Sequence, residues 1–444
     1  MKIKVLFIMS AIFFIFLILN KFYAGKHRKE KNIIALLVIT CANLGISMNY
    51  TTHLMKLKQE LYVPLIVVVL LIVILTNINI NNIKTNLNDF KFRLDDYFIL
   101  FILICNLASL GLGYIRNGVK FFNIIVVYIC AILISIAFKF LKGYDYRKIT
   151  DFFSYIAIVN GILGIAQYIT GKKLLIGEFT ETIYYKQEGS YIKRIVGFVG
   201  TNNAAGNFGM ILFAIVLFNL LRTKDKKHFI ALIFTSIFSI LTLTRIGYVA
   251  ILIVILTYLV IFRDEVIKQV KKYKIIVGAI GFIAVVAGLF FGSRIYNVLF
   301  LQRGNTQDSR FNQYYVVYDK IIRHNPFWYG IGAGQYQYFD YYYIKKWDID
   351  IHSQYVNLVV ENGWVIAFVF LCFNLSILFG ALKTCESKLE KSLVIGIFMA
   401  NLVCCNFNPN QDYFINNILY FIVMYLFVYK AKIKHDSYKR KHKI

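Results

Sequence analysis

Residues 348–371 read DIDIHSQYVNLVVENGWVIAFVFL, and the change along this stretch decides the kind of protein. It opens charged and hydrated and closes as an apolar run of the type that crosses a bilayer. Its first turns nevertheless keep His352, Asn357 and Glu361, groups that are costly to take out of water. A helix that holds such groups at the lip of a membrane needs a chemical reason for them.

The rest of the chain repeats the apolar theme. Of 444 residues, 59% are hydrophobic and only 16% charged, against roughly 25% charged in a soluble domain. Apolar runs predict helices near 3–19, 32–50, 61–80, 97–115, 119–138, 152–170, 203–221, 229–243, 246–262, 275–292, 354–381, 392–406 and 413–429. The first, within MKIKVLFIMSAIFFIFLILN, resembles a signal peptide but lacks a small-residue cleavage site. Read as a retained helix it makes 13 spans, and otherwise 12. The fold class is therefore an all-α, polytopic transmembrane bundle.

Charge placement orients the bundle. Alternate loops, among them KFYAGKHRKEK, RTKDKKH and the tail YKRKHKI, put 31 of the 50 Lys and Arg on one side. That side is read as cytoplasmic, with the C-terminus inside. The net charge of +27 then reflects topology and attraction to an anionic leaflet. It does not mark a nucleic-acid protein, because no basic region forms a soluble module. All seven cysteines lie in spans or on the inner side, which excludes an extracellular disulfide framework. The chain divides into N-terminal helices (1–170), an external loop (171–202), helices (203–292), a large external loop (293–353), C-terminal helices (354–429) and a basic tail (430–444).

Long loops in a helical bundle usually have a task. In the second loop, segment 309–324 has helical spacing, with Phe311, Tyr315, Tyr318 and Ile322 on one face. Asn325-Pro326 ends it, and GIGAG at 330–334 follows as a turn where backbone can approach closely. This reads as an aromatic lid on the membrane surface. The same external side collects Arg194, Asn202, Asn203, Arg245, Arg303, Arg310 and His352, although other residues fixed the topology. Arg245 lies in a tight turn between apolar helices with no acid nearby in sequence. Arg310 opens the lid helix, where a cation opposes the helix dipole. His352 sits where lid meets span, placed to take a proton near neutral pH.

Each residue also has a structural reading. Arg245 could snorkel at an interface. Arg194 could be solvated loop charge, and Asn202 and Asn203 could be helix caps. Glu361 and Asn357 share a helix face four residues apart, whereas His352 points elsewhere. Asp348, Asp350 and His352 form a D-x-D-x-H string, but no established metal pattern appears and no metal site is expected.

GFVGTNNAAGNFG, LTLTRIGYVAIL, DSRFNQYYVVYDKIIRHNPFWYGIGAGQY and DIHSQYVNLVVENGWVIAFVFL together resemble, in that order, the signature segments of the O-antigen ligase and polysaccharide polymerase superfamily. The resemblance covers roughly residues 190–385. It implies a GT-C-like, metal-independent inverting glycosyltransferase at the outer face of the bacterial cytoplasmic membrane, without a cofactor. The implied partners are an undecaprenyl-pyrophosphate-linked glycan donor, a glycan acceptor, membrane lipids, and flippase and chain-length regulator proteins. By the resemblance, Arg245 and Arg310 hold the donor pyrophosphate with help from Arg194, and His352 acts on the acceptor hydroxyl. Asn202, Asn203, Asn357 and Glu361 are the candidates for acceptor or sugar binding. Ser353-Gln354 departs from the usual pattern, where many members carry Asn after the histidine.

The Lys-, Ile- and Asn-rich composition points to a Gram-positive-like host without lipopolysaccharide, and so to a capsule or wall polysaccharide polymerase over a ligase. A lipid-linked oligosaccharide transporter is the reading from another class. It would keep charges near the bilayer midplane and show internal repeats, but all 50 Lys and Arg fall in loops or at helix ends.

Overall fold

A computed structural model describes residues 27–51, 58–77, 91–116, 118–187, 190–272, 306–325, 327–345 and 350–431. The helices expected over 3–19 and 275–292, together with Arg303 and Asp348, lie outside these residues. The described chain begins with α1 (Arg28–Cys41), β1 (Gly45–Thr51), β2 (Lys58–Pro64), α2 (Leu65–Asn77), α3 (Leu94–Gly111), α4 (Gly118–Leu141) and α5 (Tyr146–Thr170). Then come β3 (Tyr184–Gln187), β4 (Ser190–Lys193), α6 (Asn202–Thr223), α7 (Lys226–Leu241), α8 (Arg245–Ile261) and α9 (Arg263–Lys272). The last elements are α10 (Thr306–Lys320), α11 (Gln354–Thr384), α12 (Lys388–Phe407) and α13 (Phe414–Val428).

Among the described residues, α3, α4, α5, α6, α11 and α12 are long and apolar enough to cross a membrane, and α2, α8 and α13 are shorter apolar helices. The protein is a polytopic helical membrane protein. α6 lies deep in the bundle, packed by α5, α7, α8 and α12. It meets α8 closely: a Cβ on Gly247 would stand 3.0 Å from the Cα of Gly206, and one on Gly206 would stand 2.5 Å from Cβ of Thr244. Small residues at such a crossing let two helix backbones approach where no hydrophobic force drives them together. The crossing brings the first turns of α6 and α8, and with them Asn203 and Arg245, side by side.

Two antiparallel hairpins interrupt the helical pattern. The helix expected over 32–50 stops at Cys41, and the chain turns through Asn43 in the left-handed region (φ 49°) into β1. β1 pairs with β2 from Gly45 opposite Pro64 to Thr51 opposite Lys58. Apolar content alone does not separate a buried helix from a strand, and the run from Gly45 includes Ile46, Tyr50 and Thr51, residue types that favour strands. The helix expected from 61 starts at Leu65, after Pro64 has closed the hairpin. β3 and β4 form the second hairpin, within segment 171–202.

α11 carries the decisive irregularity. Gly363 sits at φ 84°, ψ 170°, so the helix is two helices joined by one extended residue. The break frees the carbonyls of Val360 and Glu361, which accept from the backbone of Ile331 (3.0 Å) and Gly332 (2.8 Å), while Trp364 donates to Phe327 (3.0 Å). GIGAG is thus a close approach of backbone to backbone. A Cβ on Gly330 would run into the Val360 carbonyl, and one on Gly334 would stand 2.5 Å from the Phe121 nitrogen of α4.

Around this joint a small second core forms from Val317, Ile321, Tyr336, Ile351 and Val360. α10 turns Gln313 and Val317 inward, Ile321 just past its end is buried too, and Phe311, Tyr315 and Tyr318 are 68%, 68% and 56% exposed. The three rings share a face, as their spacing predicts, but it faces away from the protein. An interfacial helix has two faces that attract rings, and periodicity does not say which one the core takes.

Alanine at Gly363 would have to adopt a backbone conformation essentially restricted to glycine, at a cost of about 1–3 kcal/mol. Gly363→Ala is expected to lower the thermal midpoint in detergent and to speed proteolysis within 306–345. An unchanged proteolysis rate would mean the joint does not hold the lid.

Candidate active site

The turn between α7 and α8 builds the site from its floor. Leu243 takes the left-handed region (φ 50°), which folds the chain back so that the end of α7 and the start of α8 face the same space. Into this turn comes Arg194 from the end of β4. Its backbone nitrogen donates to Ile183 (3.0 Å), and Ile195 donates to Leu241 (3.3 Å). Its side chain is buried, with Nε donating to the Thr242 carbonyl (2.9 Å) and Nη2 to Thr244 Oγ1 (3.1 Å). Longer contacts at 3.4 Å reach the Leu243 carbonyl and Asn203 Oδ1. Carbonyls at a helix end carry partial negative charge, so α7 partly supports this cation. Arg245 follows as the first residue of α8, at the positive end of a helix whose free N–H groups also favour an anion.

The charges converge. Burial, with the Arg245 charge adding to it, pushes Arg194 down to about 10, so it stays protonated at neutral pH. Arg245 lies close enough to Arg310 for the two charges to repel. Arg310 on α10 is lowered by burial, offset in part by Tyr314 and Tyr413. Among the described residues, neither Arg194 nor Arg310 forms an ion pair with a carboxylate. Three guanidiniums drawn into one place, two of them without an acid, suit a multiply charged anion better than they suit each other.

His352 closes the group. Its backbone nitrogen donates to Gln313 Oε1 (3.4 Å) and its carbonyl accepts from the Tyr314 hydroxyl (2.9 Å), so α10 fixes the residue on both sides. Ser353 caps α11 immediately after it, accepting from the Val356 nitrogen at 3.2 Å. Burial, followed by the Arg310 charge, pushes the imidazole down to about 4, with Asp350 acting the other way. The ring is neutral at pH 7, and its buried Nδ1 accepts no hydrogen bond. The burial and the Arg310 charge that keep the ring neutral also oppose its protonation, so an anion that offsets Arg310 would make it a stronger base.

The remaining candidates fall in two places. Asn203 belongs to the cluster through Arg194 and through a side-chain hydrogen bond with Tyr413. Asn202 sits beside it, with its Oδ1 accepting from the Asn203 nitrogen (2.9 Å) and its carbonyl from Thr244 Oγ1 (2.8 Å). Asn357 and Glu361 lie at the lid joint. Asn357 Nδ2 donates to Glu361 Oε2 (3.0 Å), and Glu361 Oε1 accepts from the Tyr336 nitrogen (3.1 Å). Their described contacts hold the segment after GIGAG.

Sequence reasoning missed Lys120, Asp412 and Tyr413. Lys120, at the start of α4, bridges Asp350 (3.1 Å) and Asp412 (3.2 Å). The bridge ties the segment that carries His352 to the turn before α13. Asp350 is thus committed to a lysine, two residues before the histidine. Burial and the neighbouring Asp350 carboxylate push Asp412 above the usual carboxylate range. Tyr413 lies within electrostatic reach of both Arg194 and Arg310. The available signals were a single Lys opening a long apolar run and a single acid in NFNPNQDY. The asparagines of that turn are largely internal: Asn207 Nδ2 donates to Asn410 Oδ1 (2.9 Å), and Asn408 Nδ2 to Asn207 Oδ1 (3.0 Å).

Residues 230–371 match the family model described as O-antigen ligase. The matched segment contains Arg245, Arg310 and His352 and leaves out Arg194, Asn203, Lys120 and Asp412. It connects this part of the chain with membrane glycan transfer. None of the curated proteins matches the chain.

Because Arg310 repels a proton on His352, Arg310→Gln is expected to raise the imidazole pKa from about 4 toward the ordinary value, while burial keeps it below. Titrating the carbon-13 signal of labelled His352 would check this. No movement would mean the two groups are not neighbours.

Proposed function

We propose that this protein is a polysaccharide polymerase that joins undecaprenyl-pyrophosphate-linked oligosaccharide repeat units at the outer face of the cytoplasmic membrane. The observation that carries the proposal is the meeting of Arg194, Arg245 and Arg310 with a neutral, half-buried His352 at one end of the bundle. Arg245 and Arg310 would grip the donor pyrophosphate, with Arg194 behind them fixed by the α7–α8 turn. An acceptor hydroxyl would attack the anomeric carbon from the opposite side. The carbon–oxygen bond to the pyrophosphate breaks, its electron pair leaves with the phosphate, and the hydroxyl proton passes to His352. Charge grows on the leaving diphosphate in that step, and preorganised guanidinium forks are aimed where it grows. In this reading no metal has a required part.

The description of the matched family supports a second reading, in which a finished glycan is transferred to a lipid or wall acceptor. Both use the same donor site and differ in what accumulates. In cells lacking the protein, a polymerase defect leaves single lipid-linked repeat units exposed outside. A ligase defect leaves long lipid-linked chains, and a transport defect leaves units trapped inside. Complementation with His352→Ala or Arg310→Ala is expected to give transfer rates about 10²–10⁴-fold below wild type. Full activity from His352→Ala would overturn the mechanism.

A further inference from the structure

The arginine–histidine cluster is assembled from separate pieces of chain. Arg194 and Arg245 meet at the α7–α8 turn, and Arg310 comes with α10. His352 comes with the segment before α11, and Tyr413 with the turn before α13. α10 holds His352 by its backbone, but that leaves open what sets the segment against the bundle. Lys120, in the first turn of α4, reaches both the segment and the turn before α13.

The ammonium closes a triangle. Lys120 Nζ donates to Asp350 Oδ2 (3.1 Å) and to Asp412 Oδ1 (3.2 Å), and the two carboxyls hydrogen-bond to each other. Each corner is fixed from behind. The Asp350 carbonyl accepts from Gln313 Nε2 (3.4 Å), and the next residue, Ile351, is fully buried in the lid core. The Asp412 nitrogen donates to the Pro409 carbonyl (3.0 Å) within its turn. The start of α4 is pressed by the lid: a Cβ on Gly334 would stand 2.7 Å from the Lys120 carbonyl carbon, and the Arg116 nitrogen donates to Gln335 Oε1 (2.8 Å).

Stability gives the triangle little reason to exist. The side chains of Lys120, Asp350 and Asp412 are 21%, 26% and 25% exposed, and ion pairs that keep contact with water add little to a fold. The lid already has its backbone exchange at Gly363 and its own apolar core. Placement is another matter, because a shift of about 1 Å at a reacting group can cost about 100-fold in rate. Charge points the same way. Arg310 and Asp350 are the charged groups that act on the His352 ring, and Asp350 in turn faces Lys120, Asp412 and Glu361. Sharing Asp350 with an ammonium keeps it from serving as a full counter-charge to the imidazole. We infer that Lys120 is a positioning residue for glycan transfer, clasping the segment that carries His352 to the turn that carries Tyr413. The inference rests on the glycan-transfer reading and extends the site into the N-terminal helices, since Lys120 and Asp412 both lie outside residues 230–371.

The test uses the full chain in lipid nanodiscs, with lipid-linked units extracted from cells lacking the protein as substrate and carbon-13-labelled His352 as reporter. Lys120→Met is expected to lower kcat about 10–100-fold, with KM within about twofold and the thermal midpoint unchanged. Lys120→Arg, whose fork can reach both carboxylates, restores most of the rate. Asp412→Asn gives a smaller loss, and the double variant is no slower than Lys120→Met alone, as for two groups in one network. Asp412→Asn keeps the side-chain shape, so it remains informative if Lys120→Met fails to fold. Independently of transfer, Lys120→Met removes a cation and turns the Asp350 charge on the ring, so the His352 midpoint moves up from about 4. Wild-type kcat in Lys120→Met, additive losses in the double variant, or a rate that falls only in step with the thermal midpoint would overturn the clasp. If wild type joins no units while the His352 signal still moves in Lys120→Met, the clasp holds and the glycan-transfer reading fails.

Discussion

A helix that breaks where an apolar slab meets water leaves backbone carbonyls and N–H groups that must find partners. In this protein the break is at Gly363, and the partners are the backbone of Phe327–Gly332. Much of the site depends on that exchange. It holds GIGAG between α11 and α4, fixes Tyr336 over Glu361, and so sets the small core on which α10 rests. Arg310 reaches the cluster because α10 rests there, and Gln313 and Tyr314 of the same helix hold His352 by its backbone. One glycine therefore lets a spanning helix and a surface lid share a single hydrogen-bonded frame.

The frame also explains how so much positive charge is tolerated. A buried cation without a counter-ion is strongly disfavoured, and Arg194 is held by carbonyls at the α7 end, a threonine hydroxyl and the ring of Tyr185 at 5.8 Å. These are dipoles, and they leave the formal charge unneutralised. Any anion that binds here takes over part of that work, so occupancy and stability of this end of the bundle are linked. The amide pairs among Asn207, Asn408 and Asn410 hold the opposing turn without adding charge.

What the sequence could reveal follows from how anomalous each residue is in its local setting. Arg245 in LTLTRIGY and His352 at the head of an apolar helix stand out because nothing near them in sequence accounts for them. The spans are legible for the same kind of reason, since length and apolarity are local properties. Lys120, Asp350 and Asp412 are ordinary residues until folding brings segments 230 and 292 positions apart onto one ammonium. Glu361 stands out in sequence as a polar group at the head of an apolar helix, whereas its partners, the backbone of the lid and Asn357, include an N–H that no side-chain pattern announces. The β1–β2 hairpin was hidden by an apolar content that serves strand and helix equally well.

The outward rings of α10 carry one more consequence. Phe311, Tyr315 and Tyr318 form a row on a helix outside the spanning bundle, and such rings settle at the headgroup level of a bilayer. The α10 helix is then anchored twice, by the small core at the Gly363 joint and by the lipid interface that its rings meet. Where the two anchors agree in height, the bilayer itself adds to the hold on Arg310.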